Sequence, residues 1–149
     1  MKRKAYIVED SSTIRDNLIE TLAELSQVEP VGTTDNEHEG KRWLAQHDGE
    51  WDLAIVDLFL REGSGLNILQ ELQARRRPGQ KIVVLSNHSS KDVRWRCEQL
   101  GADAVFDKST EIEALLAWCQ TAWEVSPSAS GTTGLSRLGA SAPAESRIG

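Results

Sequence analysis

Residues 53–57 read Leu53-Ala54-Ile55-Val56-Asp57, four apolar side chains in unbroken succession closed by an acid. A strand with one wet face alternates apolar and polar residues. An unbroken run suits a strand covered on both faces, which means a parallel sheet between helical layers. Ala5-Tyr6-Ile7-Val8, Ile82-Val83-Val84-Leu85 and Ala104-Val105-Phe106 have the same character. Val28 to Thr33 is a weaker fifth candidate, where Pro30 and Gly32 indicate an edge strand.

Between these runs the apolar period becomes helical. Ile14, Leu18, Leu22 and Leu25 form one stripe, after a Ser11-Ser12 start able to cap a helix. A more polar helix is expected from Glu37 to Gln46, around Trp43 and Leu44. Leu66, Leu69 and Leu72 mark a third, ending at Arg75-Arg76-Arg77 before Pro78-Gly79. Val93, Cys97 and Leu100 mark a fourth, closed by Gly101 as a left-handed cap. Ile112, Leu116, Cys119 and Trp123 mark the fifth. Alternating strand and helix with short connections predicts a right-handed α/β sandwich, and no internal repeat is visible.

The chain has 149 residues, and its expected domains are a folding unit over 1–125 and a disordered tail over 126–149. The tail, Ser126 to Gly149, is dominated by Ser, Ala, Gly, Thr and Pro and cannot bury enough surface to offset its ordering entropy. No apolar run is long enough to cross a membrane. Ala5 to Val8, behind the basic Met1-Lys2-Arg3-Lys4, is too short for a signal peptide. A cytoplasmic protein is expected, with Cys97 and Cys119 reduced in the core. The net charge of −6 argues against direct nucleic-acid binding.

Each of the four clear strands ends in a polar group: Glu9-Asp10, Asp57, Ser86 and Asp107-Lys108. Singly, each has an ordinary explanation as a helix-terminal charge, turn residue or solvated side chain. Together they fall at the carboxyl rim of the sheet, where α/β folds gather their chemistry. Carboxylates converging there repel one another unless one is protonated or a cation binds. An oxygen-only set without His or Cys favours Mg2+, which fills its remaining positions with water and phosphate oxygens. A carboxylate beside that ion can attack a phosphoryl group, while Lys108 and Ser86 neutralise and hydrogen-bond the added oxygens. The inventory is that of phosphoryl transfer to an aspartate.

On these residues the chain resembles the receiver domain of bacterial two-component response regulators, of the chemotaxis-regulator type. Tyr6-Ile7-Val8-Glu9-Asp10, Val56-Asp57-Leu58, Gly65, Val84-Leu85-Ser86, Gly101-Ala102-Asp103 and Lys108 carry the likeness, which covers Lys4 to about Trp123. It implies a flavodoxin-like (βα)5 doubly wound fold with a five-stranded parallel sheet in the order 2-1-3-4-5. It also implies that Asp57 accepts a phosphoryl group from a sensor histidine kinase or histidine phosphotransfer protein. Glu9, Asp10, Asp57 and the carbonyl of Phe59 would hold Mg2+, with Glu9 acting through water. Ser86 would move to the phosphoryl oxygen and Lys108 would pair with it. The change would then reach a face formed by the fourth helix, fifth strand and fifth helix, where a downstream protein or a second copy docks.

Some residues depart from the family pattern. Val105 stands where an aromatic is usual, and Phe106 should face the other way by strand alternation. Ser109 replaces the proline that commonly follows the lysine, so a trans bond is expected there. Arg61 stands where a proline is common, and Asn87 is bulkier than usual. Phe59 and His88 occupy positions that in the family tune hydrolysis, and an apolar Phe59 should shield the acyl phosphate.

Of the three histidines, His38, His47 and His88, none has metal-ligand spacing, and all are expected to be exposed. Arg75-Arg76-Arg77 is read as favourable charge at a helix C-terminus. Trp95, between Arg94 and Arg96 and off its helix's stripe, is a candidate exposed anchor, and Trp118 could share its surface. The expected function is a stand-alone response regulator, with self-phosphorylation and self-dephosphorylation but no turnover of external substrates. One competing class is a haloacid-dehalogenase-type phosphatase, which needs a second acid two residues after its nucleophile, where this chain has Phe59. The other is a receiver that is never phosphorylated and binds constitutively.

Overall fold

β3 (Leu53–Asp57) is buried along its whole length and lies third in a sheet ordered β2-β1-β3-β4-β5. The computed structural model describes residues 2–24, 27–87 and 90–123. The expectations for Leu25, His88 and the 126–149 tail lie outside these residues. The other strands are β1 (Arg3–Val8), β2 (Val28–Thr34), β4 (Lys81–Ser86) and β5 (Ala104–Asp107), and every neighbouring pair is parallel. The helices are α1 (Ser12–Glu24), α2 (Glu37–Gln46), α3 (Gly65–Arg75), α4 (Lys91–Gln99) and α5 (Ile112–Thr121). The flavodoxin-like fold and its strand order are thus as expected. β2 is an edge strand, and the register slips between Ala5 and Tyr6, beside Pro30.

Two apolar layers sandwich the sheet. Tyr6, Val8, Ala54, Val56, Ile82, Val84 and Val105 face α2, α3 and α4, where they meet Leu44, Ile68, Leu69, Leu72 and Cys97. Ala5, Ile7, Leu53, Ile55, Val83, Leu85 and Phe106 face Leu18, Leu22, Leu115 and Cys119 of α1 and α5. Alternation therefore sends Val105 and Phe106 to opposite layers, as expected. The fifth helix buries Leu115 and Cys119, so its stripe is one residue out of the expected phase at Leu116, which is only partly buried. Gly101 has φ +99°, the left-handed cap expected after α4.

Three surface expectations change. His47 is half-buried because its ring stacks on Trp43 at 4.1 Å, while Trp43 stacks on Tyr6 at 3.8 Å. Trp118 is half-buried against the α1–α5 layer and meets Trp123 edge-on at 6.3 Å. The arginine triplet does more than favour a helix end. Arg75 pairs with Glu71, and Arg77 with Asp48. Arg76, already past α3, donates to the carbonyls of Gln80 (3.1 Å) and Gly101 (2.7 Å) and to the Asp103 carboxylate. Asp103 in turn accepts from the Ile82 amide at 2.8 Å. Arg76 thus ties the α3–β4 connection to the α4–β5 connection. Arg76→Ala is expected to cost about 1–2 kcal/mol, read as a lower urea midpoint at unchanged slope.

Candidate functional site

Sheet register builds the site. Val8 pairs with Val56, Asp57 with Leu85 and Ser86 with Asp107, so the residues ending β1, β3, β4 and β5 come level at one edge. The next residues of β1 and β5, Glu9 with Asp10 and Lys108, extend beyond it. One carboxylate oxygen from each of Glu9, Asp10 and Asp57 lies within 4.8 Å of the others. Lys108 Nζ donates to Glu9 Oε2 (2.9 Å) and Asp57 Oδ2 (3.0 Å). Its own backbone N–H is fixed on the Ser86 carbonyl at 3.0 Å. Thus Glu9, Asp10, Asp57, Ser86 and Lys108 arrive at one rim.

Glu9 is held from both backbone sides. Its N–H donates to the Thr34 carbonyl (2.9 Å), and its carbonyl accepts from Arg15 Nη1 (3.2 Å). The Ser11 amide donates to its Oε2 at 3.0 Å. Asp57 Oδ1 accepts from the Phe59 amide at 3.2 Å, the turn expected of an aspartate closing a strand. Gly65 is indispensable to this turn, because a Cβ there would lie 2.2 Å from the Asp57 carbonyl oxygen. Asp10 Oδ2 accepts from the Arg61 amide at 2.8 Å, with the Arg61 guanidinium at 3.9 Å. Phe59 presents an exposed ring, and Asn87 is also exposed. The Lys108–Ser109 bond is trans, as expected.

Two of the three acids are sealed from water. Glu9 and Asp57 are buried, and the Lys108 side chain is only 6% exposed. Burial pushes the Asp57 carboxyl up to about 7, with the Glu9 charge adding to the rise and Lys108 opposing it. Burial also favours the neutral form of Asp10. The hydrogen bond from the Arg61 amide, with the Lys108 charge, outweighs that effect and holds Asp10 below the usual carboxylate range. For Lys108, burial opposes the charge, but the two carboxylates hold its pKa above the ordinary value.

Glu9 Oε1 is buried with no hydrogen-bond partner. Burying an unpaired carboxylate oxygen is costly, so a cation beside it relieves both this orphan and the repulsion among the acids. A cavity of about 140 Å³ bordered by Asp10, Asp35, Arg61 and Glu62 adjoins the cluster. A wider groove of about 540 Å³, between Arg15, Thr34, Arg42 and Trp43, contains none of the three acids. The Arg61 amide and the Arg15 guanidinium escaped sequence reading. A main-chain donor carries no residue-type signal, and nothing in the spacing of Arg15 marks it as a partner of the Glu9 carbonyl. The cluster can hold a hard cation, offers Asp57 as an oxygen nucleophile and sets an ammonium against the added charge.

A family model described as the response regulator receiver domain matches residues 5–120. The chain is 28% identical over 111 residues to the DNA-binding transcriptional regulator NtrC of Azospirillum brasilense, spanning 74% of this chain and 22% of that protein. It is 28% identical over 121 residues to the response regulator protein PilR of Pseudomonas aeruginosa, spanning 81% of this chain and 26% of that one. The chain thus spans about a quarter of the length of these curated relatives. It also superposes, with a TM-score of 0.69 and 22% identity, on a response regulator from Burkholderia pseudomallei with a phosphorylated aspartic acid, calcium ion and citrate. That match covers 80% of this chain and 68% of the other. Among the described residues, no helix is long and apolar enough to cross a membrane.

Proposed function

The chain belongs to the response regulator receiver domain family, and from this premise we propose that Asp57 accepts a phosphoryl group from a phosphohistidine on a sensor kinase or phosphotransfer protein. The observation that carries the reading is the meeting of Glu9, Asp10 and Asp57 within 4.8 Å, with Lys108 bonded to two of them. Glu9, Asp10 and Asp57 are the groups that would hold Mg2+, with the Phe59 carbonyl as the further ligand implied by the family. When bound, the ion supplies charge compensation for the carboxylates and the incoming phosphoryl oxygens.

In the transfer, an Asp57 carboxylate oxygen forms a bond to phosphorus as the bond from phosphorus to the donor imidazole nitrogen breaks. The electron pair of that bond leaves with the imidazole. The Phe59 amide fixes one carboxylate oxygen and so orients the other. Lys108 already lies on Asp57, and its ammonium offsets the charge that arrives there. Ser86, at the end of the adjacent strand, supplies the hydroxyl for a phosphoryl oxygen. For output, we propose phosphorylation-dependent contact of α4, β5 and α5 with a downstream protein or a second copy. Trp95 on α4 is 63% exposed between two arginines, as suits an anchor.

Incubation with Mg2+ and a phosphohistidine donor is expected to yield one hydroxylamine-sensitive label on the chain. A label that survives hydroxylamine would overturn the assignment. A phosphatase of the haloacid-dehalogenase type is disfavoured because Phe59, two residues after Asp57, offers no carboxyl group. Addition of a phosphomonoester is accordingly expected to give no sustained turnover.

Cation affinity should depend on pH. With the carboxyl of Asp57 at about 7, a proton competes with the cation below that value. Mg2+ affinity is expected to rise up to about tenfold per pH unit towards pH 7 and to level off above it. Calorimetric titration at pH 5.5, 6.5 and 8 checks this. A flat profile would contradict the raised Asp57 carboxyl.

A further inference from the structure

Among the described residues, α4 has little of its surface buried against the rest of the fold. Cys97 is its one fully buried residue, and Val93 and Leu100 are only partly covered. Most of its surface is charged, and Trp95 points outward. Among the described residues, Arg94 links it to β5 and to Glu111. Arg94 Nη1 donates to the Val105 carbonyl of β5, and Nη2 donates to Glu111 Oε1, both at 2.8 Å. The same Glu111 oxygen accepts the Asp107 amide at 2.8 Å. The backbone N–H of Glu111 returns to the Asp107 carbonyl at 2.9 Å, and its carbonyl accepts from Leu115 as α5 begins.

One carboxylate therefore joins α4, the end of β5 and the start of α5. Asp107 is the residue before Lys108, whose ammonium rests on Glu9 and Asp57. The backbone N–H of Lys108 is held on the Ser86 carbonyl at 3.0 Å, and the Asp107 amide beside it shares one acceptor with Arg94, so the backbone that carries Lys108 is joined to α4. Val105 itself is a small side chain buried under α4, so the coupling on this side of β5 runs through its carbonyl and not through a swinging ring.

We propose that the Arg94–Glu111 pair, together with the Val105 carbonyl, is the element that transmits the state of Asp57 to α4 and so to Trp95. This proposal rests on the phosphoacceptor reading of Asp57. Arg94 acts here as a coupling residue and takes no part in the chemistry. Bidentate arginine contacts are directional, so loss of either one frees α4 from the strand instead of letting it slide along. Hydrogen exchange reads this directly, because a helix held by few contacts opens locally.

The test is amide hydrogen exchange of the full chain with Mg2+, with and without beryllofluoride. In the unaltered chain, beryllofluoride is expected to slow exchange in the β3–α3 connection and to change it in α4. In Arg94→Gln, the β3–α3 connection should still respond. α4 should exchange about tenfold faster and no longer distinguish the two conditions. Glu111→Gln keeps an oxygen for the Asp107 amide but loses the charge that holds Arg94, and it should behave like Arg94→Gln. An α4 response in either variant equal to that of the unaltered chain would overturn the proposal. Absence of any response in the β3–α3 connection of the unaltered chain would instead overturn the phosphoacceptor reading, and the proposal with it.

Discussion

Asp57→Asn is expected to abolish the acyl-phosphate label completely while leaving the chain folded. The amide keeps the size of the carboxylate, and its one oxygen can still accept from either the Phe59 amide or Lys108, but it is no longer a nucleophile for phosphorus. Phosphate labelling with a phosphohistidine donor, followed by intact-mass measurement, reads the outcome. Persistent labelling at the original stoichiometry would remove Asp57 from the role.

The same variant has a signature in stability. A carboxyl at about 7 in the folded chain, against an ordinary value near 3.8, binds a proton in the native state that the unfolded chain has already released. In that window the native state holds more protons, so stability falls as pH rises from about 4 to about 7 and is flat above it. The substituted amide does not titrate. The fall from this source is therefore expected to vanish in Asp57→Asn, and thermal melts at pH 5 and pH 8 without Mg2+ would show it. An identical pH profile in both proteins would mean that Asp57 is not the group that takes up the proton.

The second large effect is expected from Lys108→Met. Its ammonium is the shared partner of Glu9 and Asp57, and its side chain is almost fully enclosed. Removing one partner of a buried ion pair typically costs about 3–5 kcal/mol, because the remaining charge stays desolvated and unpaired. Here two carboxylates remain, and the methionine stem preserves the packing. The loss should be greatest at pH 8 and smaller at pH 5, where the raised Asp57 carboxyl takes up a proton. Mg2+ should restore part of it, since Glu9, Asp10 and Asp57 each bring a carboxylate oxygen within 4.8 Å of the others, a cluster that could hold a metal ion. Urea midpoints at both pH values, with and without Mg2+, provide the check. A cost that is the same at pH 5 and pH 8 would show that Lys108 does not compensate those carboxylates.

Much of the fold was legible because doubly covered strands leave an unmistakable trace. Leu53 to Val56 must be apolar at every position, and so must Ile82 to Leu85, as both lie inside the sheet. Strand alternation sufficed to separate Val105 from Phe106. The phase of α5 was harder to read. Leu115 and Leu116 both fit helical spacing with Cys119, and only the direction from which the helix meets the sheet selects Leu115. Arg76 looked like charge at a helix end because its partners, Gly101 and Asp103, come from a distant turn. His47 looked solvated until Trp43, one helical turn earlier, was seen to take its ring.

The candidate site divides in the same way. Residue type and position at strand ends nominated Glu9, Asp10, Asp57, Ser86 and Lys108. Their roles in transfer rest on chemistry that the proposed experiments address. What the sequence alone determined is a set of chemical groups and the strands that end in them, because burial demands apolar runs and polar groups accumulate where those runs stop. What only the tertiary structure decided is which atoms meet. It placed Lys108 between two carboxylates, left Glu9 Oε1 without a partner, set the Arg61 amide on Asp10 and tied Arg94 to Glu111. Such contacts depend on sheet register and on main-chain donors. Both arise when separate segments are brought together in space, and neither leaves a mark in residue type.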